Sequence, residues 1–208
     1  MYLVKVTTPI LSLALLLVAL ATLLATHPAA ADAPSVFAAP DGQALVVFIQ
    51  NDRDDRKMTF LVFVPSTECV AELTGREAEL VPMAPGKYSF FVAGYDTRRI
   101  EIDLEAGRTY FIRVHSRDRF ATRTTEVTPA RRGTDSYKEL KTWLDGAEVT
   151  HAREDQCRGK PIEGRPRQIQ KGIMAANVDW KDGGDVFRAK YSLSKEDGLT
   201  AEEVARLF

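Results

Sequence analysis

Residues 100–115, IEIDLEAGRTYFIRVH, decide how this chain is read. Ile100, Ile102 and Leu104 alternate with Glu101 and Asp103. After Glu105-Ala106-Gly107 the alternation resumes, with Tyr110, Ile112 and Val114 on one face and Phe111, Arg113 and His115 on the other. A two-residue period marks β-strands, because successive side chains point to opposite faces. The short connection predicts an antiparallel hairpin. Matching its apolar faces allows a register with Glu101 opposite Arg113 and Arg99 opposite His115.

Further strands are predicted on the N-terminal side. Ala44–Ile49 (ALVVFI) and Thr59–Val64 (TFLVFV) are unbroken apolar runs rich in β-branched and aromatic residues, bounded by Asp41-Gly42 and by the charged loop 51–57. Short runs of this kind suit strands buried on both faces. Weaker strands are expected at Cys69–Leu73 and Glu77–Val81, then at Tyr88, Phe90 and Val92 after the Pro85-Gly86 turn, and at Thr122–Val127. Seven or eight short strands with frequent turns predict an antiparallel β-sandwich or barrel over residues 32–130.

Beyond Pro129 the period changes to that of helices, and residues 131–208 are expected to form a helical C-terminal extension. Tyr137–Leu144 has an amphipathic pattern. Ile162, Ile169, Ile173, Ala176 and Trp180 follow the 3.6-residue period, which predicts a helix from Pro166 to just before Asp182-Gly183-Gly184. Thr200 and Glu203 form a capping-box pattern opening a terminal helix with Val204, Leu207 and Phe208. The Ile162-to-Trp180 stripe needs a cover. Either it docks on the protein's own sheets, near Phe111 and Cys69, or it binds a partner.

The N-terminus reads as an address. Lys5 is the only charge before Asp32, Ile10–Ala25 (ILSLALLLVALATLLA) is apolar or small throughout, and Ala29-Ala30-Ala31 offers small residues for cleavage. The run is short for a membrane span, which needs about 20 apolar residues, and suits a signal peptide over residues 1–31. Cleavage after Ala31 and a periplasmic or secreted location are expected, with an uncleaved anchor as the alternative. No later segment approaches spanning length. In such a compartment Cys69 and Cys157, the only cysteines, are candidates for a disulfide.

Pro85-Gly86-Lys87-Tyr88, Gly94-Tyr95 and Glu105-Ala106-Gly107-Arg108-Thr109-Tyr110, with the Asp41-Gly42 start, resemble PEGA-type and related uncharacterised secreted bacterial β-sandwich domains. The likeness covers residues 41–127. It implies an immunoglobulin/transthyretin-like antiparallel β-sandwich of seven to eight strands, a cell-envelope module with no catalytic residues. No tandem copy follows in the second half.

The 208 residues carry 28 basic and 29 acidic side chains, a balance that argues against a general nucleic-acid binder. Signatures of serine hydrolases, zinc peptidases, phosphate-binding loops, dinucleotide sites and calcium loops are lacking, so no cofactor, metal or catalytic residue is assigned. One charged cluster stands out. Among the arginines between Arg98 and Arg123, Arg99, Arg113, Arg117, Arg119 and Arg123 are candidates for a face that meets an anionic ligand: phosphorylated or carboxylated glycans, lipid headgroups or an acidic protein. An ordinary solvated strand face is the plainer reading. The expected function is an exported, non-catalytic envelope module that binds an envelope protein or glycan or serves as an adaptor. A carrier of a small ligand, or an enzyme with an unrecognised site, remains the alternative.

Overall fold

The computed structural model describes residues 35–152 and 166–208, and the predicted signal segment lies outside them. The chain is mainly β, with two mixed sheets and helices gathered toward the C-terminus. Strands β1 (Ala44–Gln50), β4 (Glu77–Met83), β7 (Arg108–Arg119), β8 (Thr122–Pro129), β9 (Glu148–His151) and β11 (Leu199–Thr200) form the first sheet. In the second, β10 (Ser192–Leu193), β6 (Thr97–Leu104), β5 (Gly86–Ala93), β2 (Thr59–Phe63) and β3 (Cys69–Thr74) lie side by side in that order. The helices are α1 (Asp135–Lys138), α2 (Leu140–Leu144), α3 (Pro166–Asp182), α4 (Gly184–Lys190) and α5 (Ala201–Leu207), with a short 3₁₀ turn at Lys195–Asp197.

Alternation builds the layers. On β1, Ala44, Val46 and Phe48 face the second sheet and share a core with Phe60, Val62, Phe90, Val92, Ile100, Ile102, Tyr110 and Ile112. Its other face, Leu45, Val47 and Ile49, joins Phe37, Phe111, Leu140, Trp143 and Val204 under the short helices. Both faces of β1 are therefore buried, as its unbroken apolar run predicts. The outer face of the second sheet presents Leu61, Phe63 and Phe91, and α3 covers it with Ala176, Ile169 and Ile173. Ser35–Phe208 form one compact unit that contains all three cores.

The predicted hairpin does not form. Strand β6 pairs with β5 and β10 in the second sheet, while β7 pairs with β1, β8 and β11 in the first. Residues 105–107 cross from one sheet to the other. Arg99 lies opposite Phe91, and Arg113 opposite Ile49, so the expected Glu101–Arg113 and Arg99–His115 pairs are absent. Ile100, Ile102 and Leu104 instead meet Tyr110, Ile112 and Val114 across the core. The crossing is tethered by Tyr110, whose hydroxyl accepts the Glu105 backbone N–H at 2.9 Å, and Gly107 takes a positive φ of 75°.

The wholly antiparallel expectation also fails, because β1–β7, β4–β9 and β6–β10 are parallel pairs. The segment after Pro129 is not purely helical. It supplies β9, β10 and β11, which cap sheet edges and take up their free backbone groups. The predicted single helix at 137–144 is two short ones, α1 and α2.

Two local features carry testable consequences. Gly172 lies in the interior of α3, where alanine would ordinarily be better by about 0.5–1 kcal/mol. A β-carbon there would sit 2.2 Å from Thr97 Oγ1 on β6, so the glycine lets helix and sheet approach. Gly172→Ala is expected to lower the melting temperature, and Thr97→Ala to restore it in the double variant. Calorimetry of the three variants checks this.

At the other end, α5 opens on a capping box: Thr200 accepts the Glu203 N–H, and the Glu203 carboxylate accepts the Thr200 N–H at 2.8 Å. Arg132 holds both Glu203 oxygens, at 2.7 and 2.6 Å, and also donates to the Gly198 carbonyl. The Arg132 hydrogen bonds, with the Thr200 amide, pull the Glu203 carboxyl down to about 2. Its folded value lies below its unfolded value, so its contribution is complete above the ordinary glutamate range and fades as pH falls toward 2. Glu203→Gln is expected to flatten that part of the acid-unfolding curve, which a pH series of thermal melts measures.

Candidate functional site

The second half of β7 leaves the body of its sheet. Pairing with β1 ends at Arg113, whereas pairing with β8 continues to the Arg119–Thr122 pair. The result is a two-stranded ribbon closed by Phe120 and Ala121. Its base is held from the opposite sheet. The Asp55 carboxylate, on the loop before β2, accepts both the backbone N–H and the hydroxyl of Ser116 at 2.5 Å. Asp96, between β5 and β6, accepts the Thr125 N–H at 2.7 Å, and the Thr125 hydroxyl donates to the Asp96 carbonyl at 2.8 Å. Gly94 permits this approach, since a β-carbon there would lie 2.5 Å from the Phe60 ring.

At the tip, Phe120 is fully exposed and has φ of 49°. A two-residue hairpin turn with positive φ at its first central position ordinarily takes glycine there. Phenylalanine at such a position is both strained and unburied. Beside it, Arg123 donates to Asp118 Oδ1 at 2.7 Å and to the Tyr95 hydroxyl at 3.3 Å, with its guanidinium 5.8 Å from the Tyr95 ring centre. Those hydrogen bonds keep Arg123 firmly protonated. Arg117 and Arg119 are exposed, and neither has a carboxylate within ion-pair distance among the described residues.

Nearer the base, burial raises the Glu126 carboxyl, but the Lys190 ammonium at 2.6 Å outweighs that and holds it below the ordinary range. Burial and the neighbouring Arg113 charge push His115 below its usual value.

The five candidate arginines therefore do not share one face. Arg99 lies beneath α3, donating to Asn177 Oδ1 at 2.7 Å and to Glu101, with its guanidinium 5.0 Å from the Trp180 ring centre. Arg113 approaches Asp52 at 3.8 Å in a half-buried position. Arg117 and Arg119 remain together on one face of the ribbon, and Arg123 lies on the other face opposite Asp118. Phe120 and Tyr95, the aromatics beside them, were not expected from the sequence as site residues. The Phe-Ala turn lacks the Gly, Asn or Pro that signals a hairpin. The clue in the sequence is the continued alternation of Arg117 and Arg119 about Asp118 and of Thr122 and Thr124 about Arg123.

The helical stripe is placed internally. Ala176 and Trp180 are buried, and Ile169 and Ile173 pack half-buried on Leu61, Phe63 and Phe91. Cys69 belongs to the same cluster, but Phe111 lies on the far side of the first sheet with Phe37 and Phe208. Ile162 and Cys157 are outside the described residues. The expected Cys69–Cys157 bridge would tie α3's approach to β3, contributing on the order of 4 kcal/mol for a loop of this length. Thiol titration of the unfolded, unreduced protein is expected to find no reactive thiol, and two would reject the bridge.

A cleft of about 790 Å³ opens between the sheet ends, lined by Val64, Val70, Val81, Met83 and Tyr88, with Glu68 also on its wall. Among the described residues no three His, Cys, Asp or Glu side chains gather as a metal site, and no helix is long and apolar enough to cross a membrane. No protein-family model matches the chain, and no curated protein matches it.

Proposed function

We propose that the protein is an exported, non-catalytic cell-envelope module of the PEGA-like, immunoglobulin/transthyretin-related sandwich type. In this reading it works as a binding or adaptor element through the β7–β8 ribbon. The observation that carries the reading is the ribbon itself: braced at its base by Asp55 and Asp96, it ends in an unburied, backbone-strained Phe120 with two unpaired arginines. Strain and exposure that do nothing for stability are retained where a contact surface uses them. Ile169, Ile173 and Ala176 of α3 pack on the second sheet, whereas the ribbon projects with the most exposed of the large apolar side chains among the described residues, Phe120.

The test places a photo-crosslinking residue at Ala121 and, as a control, at the exposed Lys141 of α2, in cells that export the protein. Adducts formed at the tip and not at the control support the reading. Equal labelling at both positions, or recovery of the protein in the cytoplasm, overturns it. The carrier alternative rests on the cleft, and native mass spectrometry of the purified protein showing a bound small molecule would favour it.

A further inference from the structure

We infer that the ribbon tip contacts an anionic lipid surface, with Phe120 entering the boundary between headgroups and acyl chains and Arg117 and Arg119 facing lipid phosphates. The inference rests on the reading that the ribbon is the contact element and names its partner. Three observations favour a lipid surface over a protein.

The first is shape. The tip is a single two-residue turn that projects past the end of β1 on two strands and offers no broad sheet or helix face. A bilayer needs no shaped counterpart. The second is chemistry. An apolar ring at the apex, arginines with long apolar stems just behind it and a half-exposed tyrosine further back match the depth order of the membrane interface. The third is charge. The whole chain has a formal charge of −1, so general attraction to an anionic surface is absent. At the tip, however, Asp118 is paired with Arg123, and Arg117 and Arg119 form no ion pair among the described residues; the carboxylate that Arg117 senses, Glu126, is already held by Lys190.

The probe is a set of sedimented vesicles, either pure phosphatidylcholine or phosphatidylcholine with one-quarter phosphatidylglycerol, and the protein is the chain from Asp32 to Phe208. That chain lacks the apolar N-terminal run but keeps the compact unit with all three cores. Binding to the anionic vesicles is expected to exceed binding to the neutral ones by at least about tenfold at low salt and to weaken as salt screens it. Arg117→Gln with Arg119→Gln should abolish that preference. Phe120→Asn should weaken binding by about tenfold or more while leaving the melting temperature unchanged or raised, because asparagine tolerates positive φ. Phe120→Trp should shift its emission to the blue and be quenched by lipids brominated high in the chain, whereas Trp143 and Trp180 are already buried.

Equal binding to both vesicle types, or full binding by Phe120→Asn, overturns the inference. No binding to either vesicle, together with tip-specific crosslinks at Ala121, rejects the lipid partner and keeps the ribbon as a contact element. Loss of both rejects the two readings together.

Discussion

Replacing Ile169 and Ile173 by aspartate is expected to lower the melting temperature of the isolated protein by roughly 10–20 °C. The two isoleucines pack on Leu61, Phe63 and Phe91, next to buried Ala176. Full burial of an isoleucine contributes about 1.5–3 kcal/mol, of which each substitution forfeits roughly half, and the carboxylate set against an apolar surface costs a further ~1–3 kcal/mol. A combined loss on the order of 5 kcal/mol translates to about 2–4 °C per kcal/mol for a protein of this size. Arg99 would lose its setting at the same time, since its contacts with Asn177 and Trp180 require α3 on the sheet. Differential scanning calorimetry reads the outcome. A melting temperature within a few degrees of the parent, with a partner no longer captured, would show instead that the stripe serves a partner.

Phe48→Ala is expected to cost about 3–5 kcal/mol, a fall of roughly 6–20 °C, through the cavity left between the sheets. Phe48 is wholly buried and meets Phe90 edge-to-face at 5.5 Å between ring centres, so one residue ties the first sheet to the second. Phe120→Ala, by contrast, removes a ring that contributes no burial, and its melting temperature should stay within a few degrees of the parent. Comparing these two phenylalanine variants by chemical denaturation separates the core from the tip. A small loss at Phe48 would mean that the inter-sheet packing does not hold the fold together.

Local pattern determined the elements of this protein. The apolar runs of β1 and β2, the alternation of β6 and β7, the 3.6-residue stripe of α3 and the Thr200–Glu203 capping box each set the conformation of their own segment, because period and capping act within a few residues. Which strands became neighbours was decided only in the tertiary structure. The alternation of residues 100–115 fits equally a hairpin, with apolar faces side by side, and a crossing between sheets, with those faces opposed. Tyr110, Ile112 and Val114 are buried in either case. The choice was made by β1, about 60 residues upstream, which pairs in parallel with β7 and in antiparallel with β4. Long-range pairing leaves no periodic trace in sequence, and β9, β10 and β11 are too short to show one.

The candidate site divides the same way. Composition marked an arginine-rich stretch, but α3 and Asp52 took up Arg99 and Arg113, Asp118 took up Arg123, and only the extension of β7 and β8 beyond β1 kept Arg117 and Arg119 on one exposed face behind Phe120. Charge density is legible along a chain. Which charges remain unpaired depends on what folds against them.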